Sequence, residues 1–393
     1  MNEPSTQSGQ TDQDASKPPS QLFETPSLDE TTAALCLNLA PGVGPRIYAD
    51  LIEAFGSAAG VLAAAPADLR NVNGVGSKLV SAIVNAPQTV NVDQQISICK
   101  ENKIEILNRD SENYPVPLSE IYDPPSILFC QGNLIPADNL AIAIVGSRHA
   151  TNYGIRTAAR LARGLAMAGI TIVSGLARGI DASAHHAAME AGGRTLAVLG
   201  GGHLRLYPAE HADLAKRITN QGAVLSESLP ESAPKNGSFP RRNRIVTGLS
   251  LGVIVVEAAQ RSGALISARL AMEQGREVFA VPGQIDSRMS QGCHQLLKDG
   301  AKLVQSIDDV LEELGPLATP TQIDSETEIR HPAELKLSDQ ESQVLNAIKA
   351  DATEFDLIME QTGLPASRVL STISVLEMRR LVKRVSGTAL VRI

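Results

Sequence analysis

The sequence predicts an α/β protein whose largest domain is a mainly parallel sheet with helices on both faces. From residue 140 onwards, short apolar runs alternate with helical stretches, and the runs read AIAIVG, TIVSG, TLAVLGGG, AVLSES, GVIVVEA, EVFAVPG and KLVQS. Strands that are apolar throughout are typical of a parallel sheet buried on both faces. Because parallel strands are joined by right-handed crossovers, the expected arrangement is Rossmann-like and doubly wound.

Two similar glycine-rich phrases divide the helical region that precedes this domain. Residues 41–45 read PGVGP and residues 73–78 read NGVGSK, and an apolar-periodic helix follows each phrase. The duplication predicts a small domain of the helix-hairpin-helix or SAM-like kind. Its hairpin amides could donate to a DNA phosphate, and a domain that packs on its neighbour or binds protein is an equal alternative.

The last segment predicts a winged helix. Helical stretches surround the phrase QTGLP at 361–365, which is typical of a helix-turn-helix, and two β-like runs follow from residue 381 with a turn at 386–388. Such a domain suits duplex DNA in a groove, and a protein partner or a solvated face is equally compatible with the pattern. Its cations include Arg368, Arg379, Arg380, Lys383 and Arg384.

These patterns divide the chain into six segments. They are a disordered tail at 1–30, a helical domain at 31–95, an α/β connector at 96–135, the Rossmann-like core at 136–315, a polar linker at 316–336 and the winged helix at 337–393. The tail is rich in Ser, Gln, Pro and Asp, and segments of this composition bury too little apolar surface to fold.

Composition argues against several classes of protein. The first residues lack the apolar core of a secretory signal, and no apolar run approaches the roughly 20 residues that span a bilayer. The four cysteines lie far apart without a CxxC pair, which argues against a disulfide framework and a zinc finger. We therefore expect a cytoplasmic protein without a membrane span.

The central domain concentrates arginine in a chain whose net charge is -8. Residues 141–180 contain no Asp or Glu, and a second acid-free cluster follows at 235–244. Guanidinium groups bind phosphate through bidentate hydrogen bonds, so the pattern predicts an anion site. The arginines of the first cluster are Arg148, Arg156, Arg160, Arg163 and Arg178. The middle three share one helix face, and for at least two of them a solvated face is the simpler interpretation.

Glycine, serine and arginine follow the apolar strands at the point where a doubly wound sheet binds its ligands. Glycine amides and the next helix N-terminus favour a phosphate there. The alternative, that the glycines only permit tight turns, leaves the arginines unexplained. The residues concerned are Gly146, Ser147 and Arg148 after the first strand and Gly175, Arg178 and Gly179 after the second.

The sharpest local signal lies between residues 235 and 244. An aromatic ring beside several arginines suits single-stranded nucleic acid, because a base stacks on the ring while the cations hold phosphates. The alternative is a basic helix N-terminus with Phe239 in the core. The residues of this clamp are Lys235, Phe239, Arg241, Arg242, Asn243 and Arg244.

The sequence lacks the signatures of common catalytic and cofactor sites. It has no dinucleotide fingerprint, no P-loop and no HExxH around His185 and His186, so we expect no cofactor and no metal. Asp181 is interpreted as a helix cap. Glu257 ends a strand, where it would order residues 241–244 by ion pairing or, in a competing hypothesis, hydrolyse an N-glycosidic bond. A scaffold whose outer domains bind only proteins is a third hypothesis.

Residues 143–301 resemble the DNA-processing protein A family, which is also called DprA or Smf. The matching phrases are VGSR at 145–148, SGLARGIDASAH at 174–185, FPRRNRIVTGLS at 239–250, VVEA at 255–258, SGALISARLA at 262–271 and VFAVPG at 278–283. The resemblance implies a non-enzymatic mediator that binds single-stranded DNA. It also implies a homodimer that loads the RecA recombinase during natural transformation and helps to displace single-strand-binding protein.

The family motifs place phosphate contacts at the two glycine–arginine turns, and they place the stacking and backbone clamp at residues 235–244. Two positions depart from the family pattern. Cys293 and His294 stand where the family usually has Ser and Asn, in the part of the core that forms the family's dimer surface, and His211 replaces a common Asn. No contact is therefore carried over to these positions.

Overall fold

A nine-stranded sheet forms the centre of the computed structural model, which describes residues 29–314, 321–322, 328–385 and 388–393. Its strands are β1 (Ile104–Asn108), β2 (Ile127–Gly132), β3 (Ala141–Val145), β4 (Thr171–Ser174), β5 (Thr195–Val198), β6 (Gly222–Ser226), β7 (Gly252–Val255), β8 (Glu277–Ala280) and β9 (Lys302–Leu303). Their order is β1-β2-β6-β5-β4-β3-β7-β8-β9. β1 and β2 are antiparallel additions at one edge. The other seven strands, β3 to β9, are parallel to one another.

The order of the parallel strands reverses at β3. Strands β4, β5 and β6 follow on one side, whereas β7, β8 and β9 follow on the other, which confirms the predicted doubly wound fold. Alternate residues of β3 enter different cores, because successive side chains of a strand point to opposite faces. Ala143 and Val145 join one hydrophobic cluster, and Ile142 and Ile144 join another. Ligands of such sheets bind where the order reverses, between the loops after β3 and β7.

Helices cover both faces of the sheet. They are α8 (Asn152–Met167), α9 (Ile180–Glu190), α10 (Ala212–Gln221), α11 (Ser238–Gly248), α12 (Gly263–Glu273), α13 (Gln291–Lys298) and α14 (Asp308–Glu313). Helices α11, α12 and α13 pack on one face, and α8, α9 and α14 pack on the other. Helix α10 completes a smaller cluster against β5 and β6.

The N-terminal helices contain the predicted duplication. They are α1 (Glu30–Leu39), α2 (Pro45–Phe55), α3 (Ala58–Ala63), α4 (Pro66–Leu69), α5 (Ser77–Thr89) and α6 (Val92–Glu101), and the short α7 (Val116–Ser119) follows β1. Gly42 and Gly74 turn the two hairpins at φ +95° and +80°. A Cβ at Gly42 would lie 3.3 Å from Leu79 of α5, and one at Gly74 would lie 3.0 Å from Ile47 of α2. Each hairpin therefore contacts the helix that follows the other.

Two predicted segment boundaries fall inside helices of the structure. Helix α1 begins at Glu30, because the Asp29 side chain accepts from the backbone N–H of Thr32 at 3.1 Å and caps it; most of the predicted tail lies outside the described residues. The boundary between 95 and 96 falls inside α6. The predicted connector supplies β1 and β2 to the sheet, and its Phe129 is buried in the core of the helical domain.

The C-terminal domain is a winged helix, as predicted. It contains α15 (Asp339–Ala347), α16 (Phe355–Thr362), α17 (Ala366–Met378) and a sheet of β12 (Thr353–Glu354), β13 (Val382–Arg384) and β14 (Ala389–Arg392). Ser386 and Gly387 of the predicted turn lie outside the described residues.

The predicted linker is partly folded. Strands β10 (Thr321–Gln322) and β11 (Glu328–Ile329) pair within it, and Ile329 is buried against the core. The guanidinium of Arg392, in the winged helix, donates to Glu334 at 2.5 Å. A segment that makes such contacts joins the two domains by packing as well as by chain connectivity.

Several cations of the winged helix already have acidic partners. Arg379 lies 3.6 Å from Glu341, and Arg384 lies 3.3 Å from Glu377. These pairs leave fewer free charges for a phosphate backbone. Duplex DNA binding by this domain stays a prediction.

A buried histidine makes the stability of the core sensitive to acid. The Nδ1 of His185 lies 2.7 Å from Thr195 Oγ1, which itself donates to the Ile172 carbonyl, so the histidine nitrogen is the donor. Its Nε2 is buried and unpartnered. Burial lowers the pKa of His185 to about 3, since a second proton would place an unpaired charge in the core.

We expect the free energy of unfolding to fall by about 1 kcal/mol between pH 6 and pH 5 through His185 alone. In this range the unfolded chain binds a proton that the folded chain does not bind, so stability is lost as the pH falls. Urea denaturation over this range measures the effect. His185→Gln should show a correspondingly smaller pH dependence, and an identical dependence in both proteins would contradict the assignment.

Three global properties bear on function. In the part of the chain that the structure describes, no helix has the length and apolar character to cross a membrane. The same residues contain no group of His, Cys, Asp and Glu side chains able to hold a metal ion. The four cysteines are free and buried, which leaves no thiol on the described surface.

Candidate nucleic-acid interface

A cleft of about 1090 Å³ opens at the point where the strand order reverses. The loops after β3 and β7, the segment before α13 and the first half of α11 enclose it. We call it the rim cleft. Its lining includes Arg148, Phe239, Arg242, Arg261, Ser262 and Arg288. Asp181 is the single acid among the described residues that line it, so the rim cleft carries an excess of positive charge.

The loop after β3 brings its backbone and one free cation to the cleft. Gly146 is required there because a Cβ would lie 2.6 Å from Ile180. Ser147 is buried, and its hydroxyl accepts from the backbone N–H of His149 at 3.0 Å, which fixes the turn. Arg148 is exposed and pairs with no acid among the described residues. Its charge is available to a ligand.

Phe239 lies in the first turn of α11 with its ring half-buried at the cleft. The Arg148 guanidinium stands 5.2 Å from the ring centroid, within cation–π range. Tyr207 packs against the same ring at 5.6 Å between centroids, and the ring covers Gly200, where a Cβ would lie 2.7 Å away. Phe239 is therefore held by its neighbours at the rim of the cleft, outside the hydrophobic core.

Arg242 forms part of the floor of the rim cleft. It is buried, its guanidinium donates to the Val198 carbonyl, and its Nε has no partner. A side chain at Gly175 would overlap this guanidinium, so Gly175 is needed for close approach. Burial lowers the pKa of Arg242 to about 10, and nearby Asp181 opposes that change. The group stays charged at neutral pH.

Arg178 and Gly179 have other roles than free phosphate contacts. Arg178 is exposed next to the rim cleft and forms an ion pair with Glu210, which raises its pKa. A phosphate that binds Arg178 must share this arginine with Glu210 or displace the Glu210 carboxylate. Gly179 adopts φ +74°, and a Cβ there would overlap the Ser147 carbonyl oxygen, so glycine permits the close approach to the loop after β3.

Arg241 and Arg244 are anchored by acids outside the clamp segment. Glu227 pairs with Arg244 at 2.5 Å and with Arg241 at 3.1 Å, and Asp123 pairs with Arg244 at 3.0 Å. Arg244 is buried, whereas the Arg241 side chain is 60% exposed. The structure thus places Arg244 as a support of α11, and it leaves Arg241 within reach of a ligand.

The remaining clamp residues flank the cleft. Asn243 lines it, and its amide lies 3.5 Å from the Gly263 carbonyl at the start of α12. Lys235 is exposed just before α11, and its backbone N–H donates to the Ser238 hydroxyl at 3.1 Å. The six clamp residues therefore separate into cleft-lining, flanking and buried positions.

Glu257 does not order the arginine clamp, contrary to the expectation from sequence. It is buried and accepts from Thr151, at 2.9 Å from the backbone N–H and 2.5 Å from the hydroxyl. This contact holds the start of α8, and Gly154 is needed because a side chain there would overlap the carboxylate. Glu227 performs the predicted pairing instead. A carboxylate so enclosed and outside the cleft lining is poorly placed for hydrolysis.

Two other sequence interpretations are refined by the structure. Asp181 lies inside α9 and accepts from the backbone N–H groups of Gly175 and Ala177 at 3.1 and 3.3 Å, so it fixes the preceding loop. Burial raises the pKa of Asp181, while Arg242 and these donors lower it. On α8, Arg160 donates to a carbonyl at 3.0 Å and Arg163 pairs with Glu190 at 2.8 Å, as expected of a solvated face.

Sequence reasoning did not identify two arginines on the side of the cleft formed by the loops after β7 and before α13. Arg261 and Arg288 line it, are exposed and form no ion pair within the described residues. Arg261 lies in the strand-end segment 257–263 after β7, so the strand-end rule covers its position, although the sequence argument names no contact there. Arg288 lies in a long loop and has no comparable signal.

The comparisons with known proteins agree with this fold. The family model for DNA recombination-mediator protein A matches residues 105–315, and the DprA winged helix domain model matches residues 328–388. The chain belongs to the DNA recombination-mediator protein A family. It is 40% identical to Protein Smf of Escherichia coli (strain K12) over 72% of this chain and 76% of that protein.

A solved structure supports the assignment to the DprA family. The X-ray structure of DprA from Streptococcus pneumoniae covers 72% of this chain and 98% of its own chain, with a TM-score of 0.65 and 38% identity. The three residues that depart from the family pattern are buried or contact backbone carbonyls of the same chain. Cys293 is buried, His294 Nε2 lies 3.0 Å from the Gly283 carbonyl, and His211 Nδ1 lies 2.8 Å from the Leu176 carbonyl.

Proposed function

We propose that this protein binds single-stranded DNA in the rim cleft and acts as a non-catalytic recombination mediator. One observation supports this most directly. Arg148, free of acidic partners, stands over the half-buried ring of Phe239 at a cleft whose lining is cationic. A base can stack beside the ring while phosphates meet Arg148 and the floor cation Arg242, and such contacts tolerate any base sequence. Membership of the family supports the mediator role.

We expect Arg148→Ala to lower the affinity for oligo-dT about 10-fold or more, since a hydrogen bond to a charged group contributes about 1.5–3 kcal/mol. The slope of log affinity against log salt should become shallower by about 0.7, the value for one single-strand phosphate. Fluorescence anisotropy at several salt concentrations measures both quantities, with a matched duplex as the competing ligand.

Arg156→Ala is the matched control, because Arg156 is an exposed arginine on α8 and does not line the rim cleft. It removes the same charge from the same domain and should leave affinity nearly unchanged. Equal binding by a folded Arg148→Ala protein and wild type would refute the role of Arg148. Binding of duplex in preference to oligo-dT would refute single-strand selectivity.

The wider role is also part of the proposal. We infer a cytoplasmic homodimer that loads RecA onto DNA and helps to displace single-strand-binding protein, supported by membership of the family. Co-sedimentation of purified RecA with the protein on oligo-dT tests the first interaction, and sedimentation of the protein alone tests the dimer. Absence of both complexes would restrict the function to DNA binding.

The competing hydrolase has little support in the geometry. Glu257 is engaged by Thr151 and does not line the rim cleft. Incubation with deoxynucleoside monophosphates should therefore release no free base. Base release that is lost in Glu257→Gln would overturn the non-catalytic proposal.

A further inference from the structure

We propose that a second wall of the rim cleft, formed by Arg261, Arg288 and the start of α12, binds further phosphates of the same DNA strand. The inference rests on the proposed function, because it takes the ligand to be that strand. It concerns residues that lie outside the arginine clamp. The DNA would then cross the point between β3 and β7 where the strand order reverses.

Backbone hydrogen bonds bring the two arginines to one wall. The N–H of Ala258, after β7, donates to the Met289 carbonyl at 2.8 Å, and the N–H of Gly292 donates to the Ala258 carbonyl at 2.8 Å. A Cβ at Gly292 would lie 2.7 Å from that carbonyl oxygen, so glycine permits the close approach. The loop that carries Arg261 is thereby fixed to the loop that carries Arg288.

Both cations are available to a ligand. Arg261 and Arg288 are exposed and have no hydrogen-bond or ion-pair partner in the described part of the chain. By contrast, the carboxylates of Glu227 and Glu210 engage Arg244 and Arg178. Two unpaired guanidinium groups on a cavity wall of an acidic protein favour an anionic ligand.

The start of α12 adds donors to this wall. The Ser262 hydroxyl accepts from the N–H of Ala264 at 3.3 Å, whereas the N–H of Gly263 has no acceptor among the described residues. A Cβ at Gly263 would meet no atom within 4 Å, so the space beside this N–H is open. The helix dipole favours an anion there.

A buried cation in the same cleft points independently to a ligand. Arg242 is 7% exposed, lines the rim cleft and has an unpartnered Nε. A buried guanidinium that lacks a carboxylate within pairing distance is costly unless an anion approaches it. It lies on the floor shared by the Arg148 wall and the Arg261 wall.

The size of the cleft favours a strand over a single nucleotide. Its volume of about 1090 Å³ lies at the upper end of the range for small-molecule pockets, roughly 300–1,000 Å³. Cations occur on the floor and on both walls. Successive phosphates of one strand can therefore meet Arg148, Arg242 and the Arg261–Arg288 wall, whereas one nucleotide would leave part of the cleft unfilled.

The test compares Arg261→Gln/Arg288→Gln in the full-length chain with wild type, by anisotropy with oligo-dT over a range of salt. We expect affinity to fall at least 10-fold and the log–log salt slope to become shallower by about 1.4, which corresponds to two phosphates at about 0.7 each. Arg269→Gln is the control for charge, because Arg269 lies on α12 outside the cleft lining and pairs with Glu273.

The outcomes separate this inference from the proposed function. If Arg148→Ala loses binding while the double variant keeps both wild-type affinity and slope, the second wall is overturned and the proposed function stands. If wild type itself fails to bind oligo-dT, both are overturned. A double variant that loses binding of deoxythymidine monophosphate but keeps oligo-dT affinity would show that the wall binds a free nucleotide. That result would overturn the proposal that the wall binds a DNA strand.

Discussion

Replacing Arg148 and Phe239 together by alanine is expected to lower the affinity for oligo-dT by about 100-fold or more. Stacking on an aromatic ring contributes about 1–3 kcal/mol per base, and the lost arginine removes a phosphate contact of similar size. The Arg148 guanidinium lies 5.2 Å from the centroid of the Phe239 ring, so the effects of the two substitutions should not be fully additive. A double-mutant cycle measured by anisotropy should give a coupling of about 0.5–2 kcal/mol.

The single variants show which part of the pair matters. Phe239→Leu keeps an apolar side chain over Gly200 and against Tyr207 but removes the stacking face, so it should bind more weakly than wild type without loss of thermal stability. Phe239→Tyr keeps the ring and should bind like wild type. If Phe239→Leu binds with wild-type affinity, a base does not stack on this ring.

The parallel core was predictable because burial on both faces demands continuously apolar strands. Each of the seven apolar runs contains one strand of the sheet, and the glycines and Arg148 follow their ends at the reversal of strand order. The segment boundaries were less predictable. Helix α6 packs into the core of the helical domain, and the antiparallel pair of β1 and β2 contributes side chains to that core and to the core of the sheet. Local composition does not reveal such long-range contacts.

The roles of individual arginines could not be read from sequence spacing. Arg241, Arg242 and Arg244 lie within four positions, yet one is exposed, one is on the cleft floor and one is buried. Glu227 pairs with both Arg241 and Arg244, Asp123 from the segment before β2 pairs with Arg244, and Arg242 has no acidic partner among the described residues. In the same way, Glu257 pairs with Thr151, across more than a hundred residues, instead of with the arginines beside the cleft. Long-range pairing of charges decides which cations remain free for a ligand.

The largest expected effect on stability concerns Glu227, which anchors the helix α11 that carries the cleft residues. Its carboxylate holds the buried Arg244 and the exposed Arg241 on successive turns of α11, the helix that also presents Phe239 and Arg242 to the rim cleft. Removing the carboxylate leaves Arg244 with Asp123 alone, at 3.0 Å. A buried charge that loses a partner is costly, because its desolvation is no longer offset.

We therefore expect Glu227→Gln to lower the free energy of unfolding by about 2–4 kcal/mol and to weaken oligo-dT binding in the same protein, because α11 loses its main anchor. Urea denaturation measures the first effect and anisotropy the second. Glu210→Gln is the matched control, since it removes the acid of the exposed Arg178 pair and should leave stability nearly unchanged. That control should also bind DNA at least as tightly as wild type, because Arg178 becomes free. If Glu227→Gln proves as stable as wild type, Asp123 alone suffices to hold Arg244 and α11 is anchored mainly by its apolar face.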